Sequence, residues 1–367
     1  MPALLRRRLL TQPASVAVGI LDFSYAPYAL GDTITWQVNQ LVLARENWIG
    51  AVDHLVMVDR YKPANKYQPH ITSANYITHL NSLMPALYIN PLLRTVRVFH
   101  DRDNFQFALM AGWRLGRPAW PSYDDHFRGA LDFSTHRRID EHYRAHGSIP
   151  RLGPPRGFGA WAGRTLADRF AGRFVVAVHI RNTLYTAHPN QFHRNAPLAE
   201  WRAFLDRAQR ERPDALFMLM GGYDEWDFAL ANRPNVWVPR REGLGLAHEL
   251  ALMMASDLFM GSSSGFSAMA TFSTLPYVIT HIEAGAANYI FLDVGTPRYH
   301  FGLPNQVLHW PAPDRNDLWS LFSDAHGVLK DTTGDRARQF AGHGDAAPVV
   351  QEPGCSGFPT APQQDAV

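Results

Sequence analysis

Short apolar runs alternate with helix-spaced segments along most of this chain. "SVAVGILDF" is the first such run, and it opens into the loop "SYAPYALGD". In "TITWQVNQLVLARE" the positions Ile34, Val38, Leu41 and Val42 share one helical face. "VDHLVMVD" is apolar again and predicts a second buried strand. Strand, helix, strand in that order is a βαβ unit, which implies a parallel sheet. Another helix and the strand "TVRVFH" complete the stretch to residue 100. Residues 101–160 are rich in aromatics and close on "GSIPRLGPPRGFG", a Pro/Gly cluster that reads as an interdomain linker.

The alternation is clearer in the second half. "RFVVAVHIR", "ALFMLMGG", "NVWVPR", "DLFMGSS" and "PYVITHI" predict five strands. Among the helices between them, "PLAEWRAFLDRAQRE" turns Leu198, Trp201, Phe204 and Leu205 inward. The fold class is α/β, with two Rossmann-like domains facing across a cleft. The expected division is an extension at 1–13, an acceptor domain at 14–155, a nucleotide-binding domain at 156–330 and a tail. Residues 331–367 lack periodic patterning and predict disorder.

In sheets of this kind ligands lie beyond the carboxyl ends of the strands. Four polar stretches follow strands in that way: Gly31-Asp32, "HIRN" with His179 and Arg181, "GGYDE" from Gly221, and "GSSSG". His179 and Arg181 alternate with Val178 and Ile180, so they share a face. Two readings stand for this pair, a salt bridge to a neighbour or an anion site. A guanidinium fork matches a diphosphate bidentately. Ser262, Ser263, Ser264 and Gly265 open a helix whose first N–H groups favour negative charge. The same residues also read as a plain helix cap, or as a G-x-S-x-G elbow with Ser263 as nucleophile. Asp293 with His300 or His309 supplies a triad in the required order, but no HGGG-type oxyanion loop precedes the elbow. Asp32 reads equally as a general base across the cleft or as the N-cap of the helix after it. Asp224 and Glu283 are the other candidate bases.

Composition narrows the classes. Lys+Arg is 35 against Asp+Glu 33, a net charge of +2. That balance argues against a non-specific nucleic-acid binder, which carries a large basic excess. The one cysteine, Cys355, gives neither a disulfide framework nor a thiolate metal site, and points to a reducing, cytoplasmic setting. "MPALLRRRLL" is a poor signal peptide. No stretch offers the ~18 apolar residues of a membrane span, so any membrane contact is expected to be peripheral. His188 and His193 in "TAHPNQFHRN" lack the spacing of metal ligands, and neither metal nor cofactor is expected.

"VAVHIRN" resembles the H-x-R strand motif of the fucosyltransferase superfamily, and "SDLFMGSSSGFSAMA" resembles that superfamily's late Ser-rich motif. The resemblance spans about residues 170–280. It implies a GT-B glycosyltransferase, inverting and metal-independent, that uses GDP-fucose or a related nucleotide sugar on a glycan or other hydroxyl acceptor. It further implies that Arg181 holds the β-phosphate and His179 lines the donor site. Asp257 lies near the base or ribose end, and Ser263, Ser264, Phe266 and Ser267 wrap the diphosphate and nucleoside. The Gly31-Asp32 pair looks more like bacterial heptosyltransferases, which are also GT-B enzymes, and this leaves the donor sugar open.

Overall fold

The computed structural model describes residues 16–58, 68, 71–128, 132–182, 195–222 and 228–342, with backbone only at 288–289. Two all-parallel sheets organise them. The first has the order β3-β2-β1-β4, built from β1 (Val16–Asp22), β2 (Ala51–Met57), β3 (Leu93–Phe99) and β4 (Ala119–Trp120). The second has the order β10-β9-β8-β5-β6-β7. Its strands are β5 (Phe174–His179), β6 (Ala215–Met220), β7 (Val236–Trp237), β8 (Leu258–Ser262), β9 (Tyr277–Thr280) and β10 (Gln306–His309). β5, β6, β8 and β9 are buried along their whole length. That is why they read as unbroken apolar runs rather than alternations.

The second sheet has six strands, not the five expected. β10 escaped notice because it is short and begins on Gln306, a buried amide whose Nε2 donates to the carbonyls of Ser273 and Leu275. A larger correction concerns the tail. Residues Asp335–Gly342 form a helix that packs on helix Gly159–Arg169. Gly163 makes the contact possible, since a Cβ there would run into the backbone of Ala337, Phe340 and Ala341. Arg336, half-buried on this helix, donates to the carbonyls of Met254 and Thr274, and desolvation lowers its pKa to about 10. Ala337 and Phe340 are the only apolar side chains the helix buries, too few to stand out in the sequence. Residues 1–15 and 343–367 lie outside the described residues.

Helix Leu30–Glu46 stands between the two units. Ile34, Val38, Leu41 and Val42 join one core with Phe259, Phe266 and Met269 of the second unit. Buried amides occupy other positions around the helix. Gln37 donates to Ala86 O at 2.6 Å, Asn39 to Thr135 O at 2.9 Å, and Gln40 meets His54 Nε2 at 2.8 Å. These bonds fasten the helix to the first unit, while its apolar face is shared with the second. Among the described residues no helix is long and apolar enough to cross a membrane.

Candidate functional site

The carboxyl ends of β5 and β8 lie side by side, with His179 opposite Gly261. A side chain at 261 would collide with the His179 carbonyl, so glycine lets these strand ends close. One step on, the Arg181 N–H donates to the buried Ser262 hydroxyl at 2.8 Å. The Ser263 N–H donates to Thr280 O at 3.0 Å, tying in β9. The His179 ring stacks on Phe266, centroids 4.6 Å apart and 30° between planes. Both rings are buried, so Phe266 supports His179 from within.

The next residues start helix Gly265–Thr271. Ser264 is its N-cap, and Ser267 completes a capping box. The Ser264 N–H donates to Ser267 Oγ at 2.8 Å, and that hydroxyl donates back to Ser264 O at 2.7 Å. The serines at 262, 264 and 267 thus hold the turn together.

A second helix start meets this one. A Cβ on Gly265 would stand 2.6 Å from Leu30 Cβ, and one on Gly31 would lie 3.6 Å from Gly265 Cα. The first turns of helices 30–46 and 265–271 therefore touch, which sets the carboxyl edges of the two sheets against each other. Asp32 belongs to this contact. It is not the N-cap, because the helix begins three residues earlier than "TITWQ" and Ala29 holds the cap position. Asp32 sits half-buried in the first turn, and Ser134 Oγ donates to its Oδ1 at 2.8 Å.

Gly221, at the end of β6, has φ +117, a value that favours glycine. Its N–H donates to Glu249 Oε1 at 3.0 Å. The other Glu249 oxygen takes Arg240 Nε at 2.8 Å and Nη2 at 2.7 Å. Burial pushes the Glu249 carboxyl above its usual value, against the pull of Arg240 and the Gly221 N–H. Neither Glu249 nor Arg240 was expected. The signal was present as the one carboxylate in the apolar helix "LAHELALMMA".

Other expected residues lie elsewhere. Asp257 precedes β8 at its amino end, away from the cleft, where it accepts from the N–H of Val175 at 2.8 Å and of Gly334 at 2.7 Å. It braces the 335–342 helix and is not brought to the site. His300 Nδ1 pairs with Asp140 at 2.7 Å, while Asp293 is exposed, so these two do not assemble a triad with each other. Glu283 is half-buried just beyond β9. Asp224, His188 and His193 lie outside the described residues.

No family model matches the sequence, and no curated protein matches it. Solved structures do resemble it. E. coli ADP-heptose LPS heptosyltransferase II is 11% identical, with 86% of this chain and 99% of that chain covered at a TM-score of 0.50. A glycosyl transferase family 9 protein from Veillonella parvula is 13% identical over 90% of this chain and 99% of that one, at 0.43. E. coli heptosyltransferase WaaC with ADP-2-deoxy-2-fluoro heptose is 14% identical over 86% and 99%, at 0.42. The likeness to the first of these is one of fold, and it does not reach the fucosyltransferase motifs. With its two parallel-sheet, Rossmann-like units, the chain has the GT-B fold.

Proposed function

We propose that this chain is a glycosyltransferase that moves a sugar from a nucleoside diphosphate to an acceptor hydroxyl at the cleft between its two sheets. The observation that carries the reading is the contact of Gly31 with Gly265. It sets the turn bearing Asp32 against the turn bearing Ser263, one β-strand removed from Arg181. On this reading the acid and the cation face one another across the junction of the two sheets, as displacement at a sugar carbon needs. The acceptor oxygen attacks the anomeric carbon, the bond to the diphosphate breaks, and Asp32 takes the hydroxyl proton. Charge growing on the diphosphate is met by Arg181 and by the first N–H groups of helix Gly265–Thr271, after the Ser263 turn. Inversion follows from a single displacement of this kind.

Fucose from a GDP-sugar is the donor favoured by the two motifs. A heptose from an ADP-sugar is favoured by Gly31-Asp32 and by the fold shared with heptosyltransferase II. A melting-temperature screen against GDP-fucose, ADP-heptose and a UDP-sugar separates them, because a ligand that binds only the native state raises its apparent stability. One donor should raise the melting temperature and the others should not. A flat response to every donor would remove the proposal.

A further inference from the structure

The N-terminal unit has a second concavity, separate from the cleft. It lies between the edge strand β3 and helix Arg102–Arg114, and its volume is 520 Å³. That is within the ~300–1,000 Å³ typical of small-molecule sites. Val18, Leu55 and Val98 supply apolar lining, as do Phe107 and Leu115. Both of the last two are strongly exposed, at 78% and 65%. Large apolar side chains grouped in this way at a groove mark an interaction surface.

Charge says what kind of surface it fits. Arg97 and Arg117 line the groove, and Arg94 and Arg114 flank it on β3 and on the helix. Arg94 and Arg117 share the buried Asp53, whose single charge cannot neutralise both. Arg97 and Arg114 are exposed and make no ion pair among the described residues. Aromatic and aliphatic side chains projecting beside exposed arginines match the headgroup–acyl boundary of an anionic bilayer.

We propose that this groove is the face by which the protein lies on an anionic lipid membrane, with an acyl chain entering the cavity and headgroup phosphates on the arginines. The groove continues to His100 and Asp101 at the carboxyl end of β3. The next residue, Arg102, pairs with Asp22 at the carboxyl end of β1, on the cleft side of the sheet. A membrane-borne acceptor would therefore meet the cleft from this side. The binding itself does not depend on glycosyl transfer and is measured without any donor.

Sedimentation of the full chain with phosphatidylcholine vesicles, with and without 30 mol% phosphatidylglycerol at about 0.1 M salt, tests it. The wild type should sediment with the anionic vesicles and stay in solution with the neutral ones. Phe107→Ser with Leu115→Ser should lower partitioning at least about tenfold. Arg97→Gln and Arg114→Gln should each lower it about fivefold. Val328→Ser, an equally exposed position on the other unit, should change nothing. These positions are on the surface, so the variants should fold, and circular dichroism checks that they do. Absence of vesicle binding by the wild type, or binding that the groove variants leave intact, would overturn the proposal. So would a concentration-dependent dimer abolished by Phe107→Ser, which would assign the groove to a second copy.

Discussion

The two ends of the second sheet carry similar polar residues and use them in opposite ways. At the amino end, Asp257 takes the amides of Val175 and Gly334, and Arg336 is spent on the carbonyls of Met254 and Thr274. Here an acid and a base serve only to dock the last helix. At the carboxyl end, the fold's own needs are met by Ser262, Ser264, Ser267 and Glu249. Arg181 and Ser263 stand half-buried at the mouth, with the Asp32 turn across from them. The same residue types are structural at one end of a strand and candidate machinery at the other. What separates them is which end of the parallel sheet they occupy.

The largest expected effect is at the carboxyl end. Asp32→Asn keeps an acceptor for the Ser134 hydroxyl and gives up a favourable charge in a helix first turn, worth about 0.3–1 kcal/mol. Turnover should nonetheless fall by about 10²–10⁴, with donor affinity nearly intact. Turnover close to wild type would pass the role of base to Glu283 or Asp224. The amino end should answer the other way. Phe340→Ala empties a buried site against helix 159–169 and should cost about 3–5 kcal/mol in denaturant unfolding. Turnover per folded molecule should stay the same. A stability loss under about 1 kcal/mol would mean that the last helix is not part of the cooperative fold.

A smaller effect concerns the buried histidines that surround helix 30–46 and the contact between the units. Burial holds His54 and His136 neutral, with values lowered to about 3 and about 4. In the unfolded chain both take up a proton near 6.5, so below that pH the unfolded state binds more protons. Stability is therefore full above about pH 6.5 and falls as the pH drops toward 4, by up to about 2 kcal/mol per histidine at pH 5. His54→Gln should flatten this dependence between pH 7 and pH 5. An unchanged slope in the variant would show that His54 is not among its causes.

Much of this architecture was legible in the chain. β5, β6, β8 and β9 are buried on both faces, so apolar runs bounded by polar strand ends marked them. The inward faces of helices 30–46 and 198–211 were marked by their spacing. What escaped was held by few or polar contacts: β10 through Gln306, and helix 335–342 through two apolar side chains and a half-buried arginine. At the site, the sequence marked turns that the structure brings together, and several of their polar side chains bond to the fold itself. Hydroxyls at 262, 264 and 267 are placed for binding by type, and competition from nearby backbone N–H and C=O groups decides their use. Asp257 was misplaced for a related reason. Its position just before an apolar run shows that it adjoins a strand, but not that the amino end lies away from the cleft.

Arg181 decides whether the carboxyl end holds a nucleoside diphosphate at all. Titration calorimetry of the wild type and Arg181→Ala with ADP and GDP measures it directly. The account predicts that the wild type binds at least one of them, and that the variant binds it at least about tenfold more weakly, a loss of ~1.5 kcal/mol for a charge-assisted contact. Equal affinity in the two proteins, or no binding of either nucleotide by the wild type, would contradict it.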